Sequence, residues 1–298
     1  MSKRTPEQEL PPLAPPSAES GLAGVWKRRY LLGMIVHNTM QSRYQGTALG
    51  WAWSYLQPLV RFFMFYFVFQ VFMARQADTT PNFAIHLFAA MVLVHFFSEA
   101  FNGGTQSLVS NRSLITKLAM PKELFPVSRV LLGLWHTGPM LVILVIACLL
   151  VGWQPDSVGL AAGVLGFLLI ATLGTALALM FSVANVYLRD FGKIVQTLNQ
   201  FVTFSVPMMY PFSMVADRFH GKEWAVQLYM LNPVTEAVLL MQRCFWVGTV
   251  EDQDALIRDH MPADLWERGF IMLGVCLALL WASQRLFTRL ERGIAERL

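Results

Sequence analysis

Charge is what this sequence has least of. Only 14% of its 298 residues are Asp, Glu, Lys or Arg, where soluble proteins average about 25%. The shortage argues against an ordinary water-soluble domain, and a net charge of +4 is too small to point to nucleic acid. Paired cysteines are missing too. Cys148, Cys244 and Cys276 show no CxxC spacing and two fall in apolar runs, which argues against a disulfide framework or a zinc site. No GxxxxGK[ST] loop occurs, so this chain does not hold ATP by a P-loop. HExxH, GxSxG, a metal-ligand cluster and a glycosyltransferase's paired acids are also lacking. No catalytic residue and no metal ligand is assigned. The opening "MSKRTPEQELPPLAPPSAESGL" lacks the apolar stretch of a signal peptide, and its Pro, Ser and Glu content predicts a disordered cytoplasmic tail over residues 1–22.

What fills the chain instead is apolar: 55% hydrophobic residues and a mean hydropathy of +0.47. These residues gather in blocks near 20 long, the length a helix needs to cross a bilayer core of about 30 Å. Residues 23–298 read as one all-α, polytopic membrane domain with six spans, at about 54–73, 83–101, 130–151, 158–184, 191–212 and 269–287. Of the 23 Lys and Arg residues, 16 fall in segments on the N-terminal side and 6 on the other, with Arg61 inside a span. The positive-inside rule then places both termini in the cytoplasm.

Two stretches break the pattern. Residues 26–45, "WKRRYLLGMIVHNTMQSRYQ", put Leu31, Leu32, Ile35, Val36 and Met40 at the spacing of an amphipathic helix lying in the cytoplasmic interface. Between spans five and six, "WAVQLYMLNPVTEAVLLMQRCFWVG" is too apolar for a solvated loop. Asn232 and Pro233 split it into two pieces too short to span, which predicts a re-entrant or interfacial hairpin packed on protein.

Arg61 is the one charge well inside an apolar stretch. Such residues are functional by default, although a snorkelling guanidinium would serve equally here. A functional Arg61 would face a conduit and meet an anionic group such as a pyrophosphate. The rings of the first span, Phe65, Tyr66 and Phe69 among them, cover every helix face. Some must face lipid; the rest would offer flat apolar surfaces to sugar C–H faces. His86, His95, Glu99 and His136 read as helix–helix hydrogen-bond partners, with a catalytic role as the rival.

The order "SRYQGTALGWAWSYLQP", "LVSNRSLITKLAMPKELFPVS", "YLRDFGKIVQTLNQFVTFSVPMMYP" and "LNP" resembles the type-2 ABC exporter permeases for polysaccharides, the O-antigen, capsule and teichoic-acid exporters. The resemblance covers nearly the whole chain from about residue 27, and is greatest to actinobacterial exporters of a lipid-linked galactan. It implies a homodimer in the bacterial inner membrane, each subunit docked on a separate ABC ATPase that binds ATP and Mg, and a polyprenyl-linked glycan as cargo among the membrane lipids. No cofactor is implied in this chain.

The same resemblance assigns roles by position. Asn111, Leu114, Lys117, Pro121 and Lys122 would form a coupling helix seated on the ATPase, with Arg189 and Asp190 nearby. Gly46 and Gly50 would shape the entrance loop, and Asn232 and Pro233 the outer gate. Trp51, Trp53, Arg61, Phe65, Tyr66 and Phe69 would meet substrate. The rivals are a drug or lipid exporter permease of the same fold, a membrane acyl- or glycosyltransferase working through Glu99 or His136, and a secondary transporter.

Overall fold

The structure, a computed structural model, describes residues 21–68, 80–117 and 120–297. Every element among them is helical. A short α1 (Leu22–Lys27) and α2 (Arg29–Tyr44) lead to α3 (Trp53–Phe67) through a 3₁₀ turn at Gly50–Ala52. Then come α4 (Phe83–Ser110), α5 (Arg112–Lys117), α6 (Leu124–Leu150), α7 (Ser157–Tyr187) and α8 (Phe191–Ser205). The chain closes with α9 (Phe212–Arg218), α10 (Glu223–Met230), α11 (Pro233–Phe245), α12 (Gln253–His260) and α13 (Leu265–Arg297).

Four of these are long and apolar enough to cross a membrane: α4, α6, α7 and residues Leu265–Glu291 of α13. The chain is a multi-pass membrane protein. Of the expected first span, 54–73, α3 covers the described part. The expected fifth, 191–212, is a helix only to Ser205, about 22 Å long and short of a bilayer core. Pro207 ends the ladder there: it has no N–H to give, and its carbonyl instead accepts from Gln242 Nε2 at 2.7 Å.

The bundle is built around α4, whose side chains are buried on most faces against α6, α7, α8 and α11. Small residues set the spacing. A side chain at Gly104 would collide with Ala178 of α7, and one at Gly163 or Gly166 of α7 would meet Cys244 or Ala237 of α11. Close backbone approach of this kind is how helices associate where no hydrophobic drive separates them from lipid. α4 runs three turns past the expected span end at 101 because Asn102, Gly103, Gly104 and Gln106 interrupt the apolar run without interrupting the helix. Gly104 is needed for packing, and Asn102 and Gln106 face a cavity.

The two ends of the bundle are pinned differently. At one, Glu123 at the start of α6 accepts the Gly21 amide at 2.9 Å and Gln284 Nε2 of α13 at 3.3 Å. Lys122 Nζ reaches the Glu291 carbonyl at 2.6 Å. The start and end of the described chain therefore meet at one end, over a core of Leu108, Phe125, Val183, Phe287 and Ile294. At the other, Asn82 donates to Thr249 and Trp246 Nε1 donates to the Pro81 carbonyl, anchoring the head of α4 to the turn after α11. Arg243 holds Asp156 there through two bonds of 3.0 and 2.7 Å.

Candidate functional site

The end of the bundle where the start and end of the described chain meet also opens into a cavity of about 630 Å³. Its walls come from the last turn of α2, from α3, from the C-terminal half of α4, from the head of α6 and from α8. Three arginines converge on it, Arg43, Arg61 and Arg129, against one carboxylate, Glu99. Arg61 is exposed on α3 and lines this space. The excess of positive charge suits an anion. Phe65 also lines the cavity, while Tyr66 lies half-buried beside Phe62, which packs edge-on against Phe88 of α4 at 4.9 Å.

A second, smaller cavity of about 340 Å³ adjoins the first. Thr47, Trp53 and Ser54, from the glycine-broken approach to α3, line it together with His136 of α6. Both cavities share Arg43, Gln57, Pro58, His95 and Glu99. Two of these shared residues form an ion pair. Arg43 donates to both Glu99 oxygens, at 2.9 and 3.1 Å, and lies 3.4 Å from His136 Nδ1. His136 Nδ1 also lies 3.8 Å from Glu99 Oε2, so the three side chains form one cluster. Glu99 of α4 and His136 of α6 thus bridge helices through Arg43 of α2, and both line the smaller cavity.

The approach loop owes its shape to glycine. Gly46 and Gly50 have φ of +80° and +48°, the left-handed region that glycine enters without cost. Space around each is open, so the conformation, not crowding, requires them. The Trp51 side chain and Phe69 lie outside the described residues.

A model of the family described as ABC-2 type transporter matches residues 30–246. The chain belongs to that family. It is 27% identical over 274 residues to the O-antigen export system permease protein RfbA of Myxococcus xanthus, across 91% of this chain and 96% of that protein. A protein of the same name from Klebsiella pneumoniae is 25% identical over 226 residues, across 74% of this chain and 82% of its own.

The remaining residues with roles expected in this family fall into two further groups. Asn111 ends α4, its side-chain amide donating to the Ser107 carbonyl at 2.7 Å. Beyond it α5 buries Ile115 and leaves Leu114 and Lys117 exposed. Pro121 is buried and Lys122 is spent on α13, so these two hold the connection in place rather than facing outward. Arg189 and Asp190 are exposed in the turn between α7 and α8. Asn185 fixes that turn: its Oδ1 accepts from the Gly192 amide at 3.0 Å and its Nδ2 donates to the Thr105 carbonyl of α4 at 3.2 Å.

At the last residue of α8, where its Nδ2 reaches Ser205 Oγ at 3.5 Å, Asn232 caps α11 by accepting from the Val234 amide at 3.0 Å, and Pro233 occupies the first helical position, where a missing N–H costs nothing. The split at these two residues is real: α10 stops at Met230 and α11 starts at Pro233. α11 is buried along its length. Sequence reasoning passed over Arg43, Arg129, Glu123 and Asn185. Arg43 and Arg129 were counted only as cytoplasmic charge, and nothing local distinguishes them from Arg28 or Arg112. Among the described residues no group of three or more His, Cys, Asp or Glu side chains could hold a metal ion.

Proposed function

We propose that this chain is the membrane subunit of an ATP-driven exporter that moves a polysaccharide, carried on a polyprenyl diphosphate, from the cytoplasmic side across the inner membrane. The observation that carries the reading is the cavity of Arg43, Arg61 and Arg129 beside the Gly46–Gly50 loop, at the end of the bundle where the start and end of the described chain meet. Its anion-seeking chemistry suits a diphosphate, and the relatives named for O-antigen export supply the class of cargo. The rival, a drug or lipid exporter of the same fold, would use a mainly apolar surface such as the groove of about 1020 Å³ lined by Val36, Leu131, Leu134, Trp135 and Val142; the cavity proposed here carries three arginines.

Six spans complete the proposed topology, with α3 and α8 as the two beyond the four long helices. Both carry large exposed apolar side chains, Val60, Phe63 and Phe67 on α3 and Phe201 and Phe204 on α8. A second copy of the chain would cover these faces and close a path between them. The family implies a separate ATPase, for which α5 and the Arg189–Asp190 turn are the exposed docking elements. ATP binding would close the ATPase halves and move these elements together. Work comes only from ATP favouring the closed state, so the chain by itself does not pump. Asn232 and Pro233 would form the hinge of the outer gate, and a cell-wall galactan is the proposed polymer.

Affinity purification from native membranes in mild detergent, with mass spectrometry of all retained species, tests this. The expected result is an ATPase subunit in one-to-one ratio and a polyprenyl-linked glycan. Recovery of the bare chain, under conditions that preserve other ABC complexes, would overturn it.

A further inference from the structure

The cavity has two unlike kinds of lining. Beside the arginines, two of which lie against α4, is a surface of amides and hydroxyls. Ser98, Asn102 and Gln106 of α4 recur every fourth residue and so share one helix face over about 12 Å. Across from them α8 contributes Asn199, Gln200 and Thr203. Asn199 is only 5% exposed, and neither its Oδ1 nor its Nδ2 has a hydrogen-bond partner among the described residues. The buried Oδ1 of Asn102 has none either. Buried amides are normally hydrogen-bonded, so these atoms call for a polar occupant.

The kind of occupant follows from the donors and acceptors left open. A diphosphate offers acceptors alone. It can satisfy the arginines and Asn199 Nδ2, but not the Oδ1 atoms of Asn199 and Asn102. Sugar hydroxyls both donate and accept. We propose that the Ser98–Asn102–Gln106 face of α4 and the Asn199–Thr203 face of α8 bind the sugar joined directly to the diphosphate, and thereby select which first sugar is admitted. This rests on reading the arginine cavity as the diphosphate site. Asn102 sits one turn beyond Ser98 and three residues from Glu99, so sugar and diphosphate would lie side by side as they do in a glycosyl diphosphate.

The test uses the full chain in lipid nanodiscs and measures binding of a short prenyl diphosphate, bare or carrying N-acetylglucosamine, glucose or galactose. The wild-type chain is expected to bind one glycosylated probe about tenfold more tightly than the bare one. Asn199→Leu should abolish that gain and hold the bare diphosphate to within about twofold. Arg61→Gln and Arg129→Gln should weaken all probes together. Gln106→Leu, at an exposed position, repeats the test where Asn199→Leu fails to fold. Equal binding of bare and glycosylated probes, or equal weakening of both by Asn199→Leu and Gln106→Leu, overturns the sugar subsite and leaves the diphosphate reading standing. Binding of no probe, with the arginine variants indistinguishable from wild type, overturns both.

Discussion

Arg43 grips Glu99 through both carboxylate oxygens, at 2.9 and 3.1 Å, and so ties the last turn of α2 to the middle of α4 across 56 residues of sequence. The pair also lines both cavities. Arg43 is 40% exposed and Glu99 26%, so solvent screens the attraction and a coupling of about 1 kcal/mol is expected from a double-mutant cycle of Arg43→Gln and Glu99→Gln. Either single variant should speed hydrogen exchange in α2 while leaving α4 protected. Unchanged exchange in α2 would show that its seat does not depend on this pair.

The break between α10 and α11 rests on a cap. Asn232→Ala removes the acceptor for the Val234 amide and is expected to cost about 1 kcal/mol. Hydrogen exchange at the first turn of α11 should rise. Asn232→Asp, which keeps an acceptor, should restore protection.

Acid should loosen the end of the bundle that holds Asp156 and Arg243. Partial burial alone would raise the Asp156 carboxyl, but the hydrogen bonds and charge of Arg243 outweigh it and hold that group below its usual range. A depressed folded value contributes stability that is full above the ordinary Asp value of about 4 and is lost as pH falls through the folded value. Thermal unfolding of the wild type should therefore shift downward on acidification, and that of Asp156→Asn should start lower and shift less. Parallel pH profiles would show that the pair does not govern this end.

Packing of α7 on α11 leaves no room at Gly163, where an added Cβ would stand 2.7 Å from Cys244 Sγ. Gly163→Val is expected to cost about 1–3 kcal/mol through overpacking. Gly138→Ala, in open space on α6, should not lower the unfolding temperature. Equal loss in both would point to backbone freedom rather than contact.

Leu114 is exposed on α5, beside buried Ile115. Leu114→Asp should leave the fold and the unfolding temperature intact and abolish recovery of the ATPase with the purified chain. Lys122→Ala should do the reverse, lowering stability through the lost bond to the Glu291 carbonyl. If Leu114→Asp retains the ATPase in full, α5 is not the docking element.

How much of this was legible in the sequence depends on the kind of signal. Long apolar runs announced α4, α6, α7 and α13, and the Leu31, Leu32, Ile35, Val36 and Met40 spacing announced the half-buried face of α2. The Asn232–Pro233 break was readable because capping chemistry is local. The end of α4 was not, because hydropathy stops at Asn102 while the helix continues on packing at Gly104 and on the polar wall of the cavity. The cavity itself was hidden for a different reason. Arg61 was visible as an isolated charge, but Arg43, Arg129 and Asn199 come from three other helices and meet only once the bundle is assembled.

The most direct test of the central claim follows the cargo in the native cell. The chain would be depleted, and the sidedness of polyprenyl-diphosphate-linked polysaccharide measured by its accessibility to an impermeant oxidant in spheroplasts. The account expects completed polymer to accumulate on the cytoplasmic face, with export restored by the wild-type chain and not by an Arg61→Gln, Arg129→Gln double variant that still assembles. Polymer reaching the outer face at an undiminished rate in the depleted cells would contradict it.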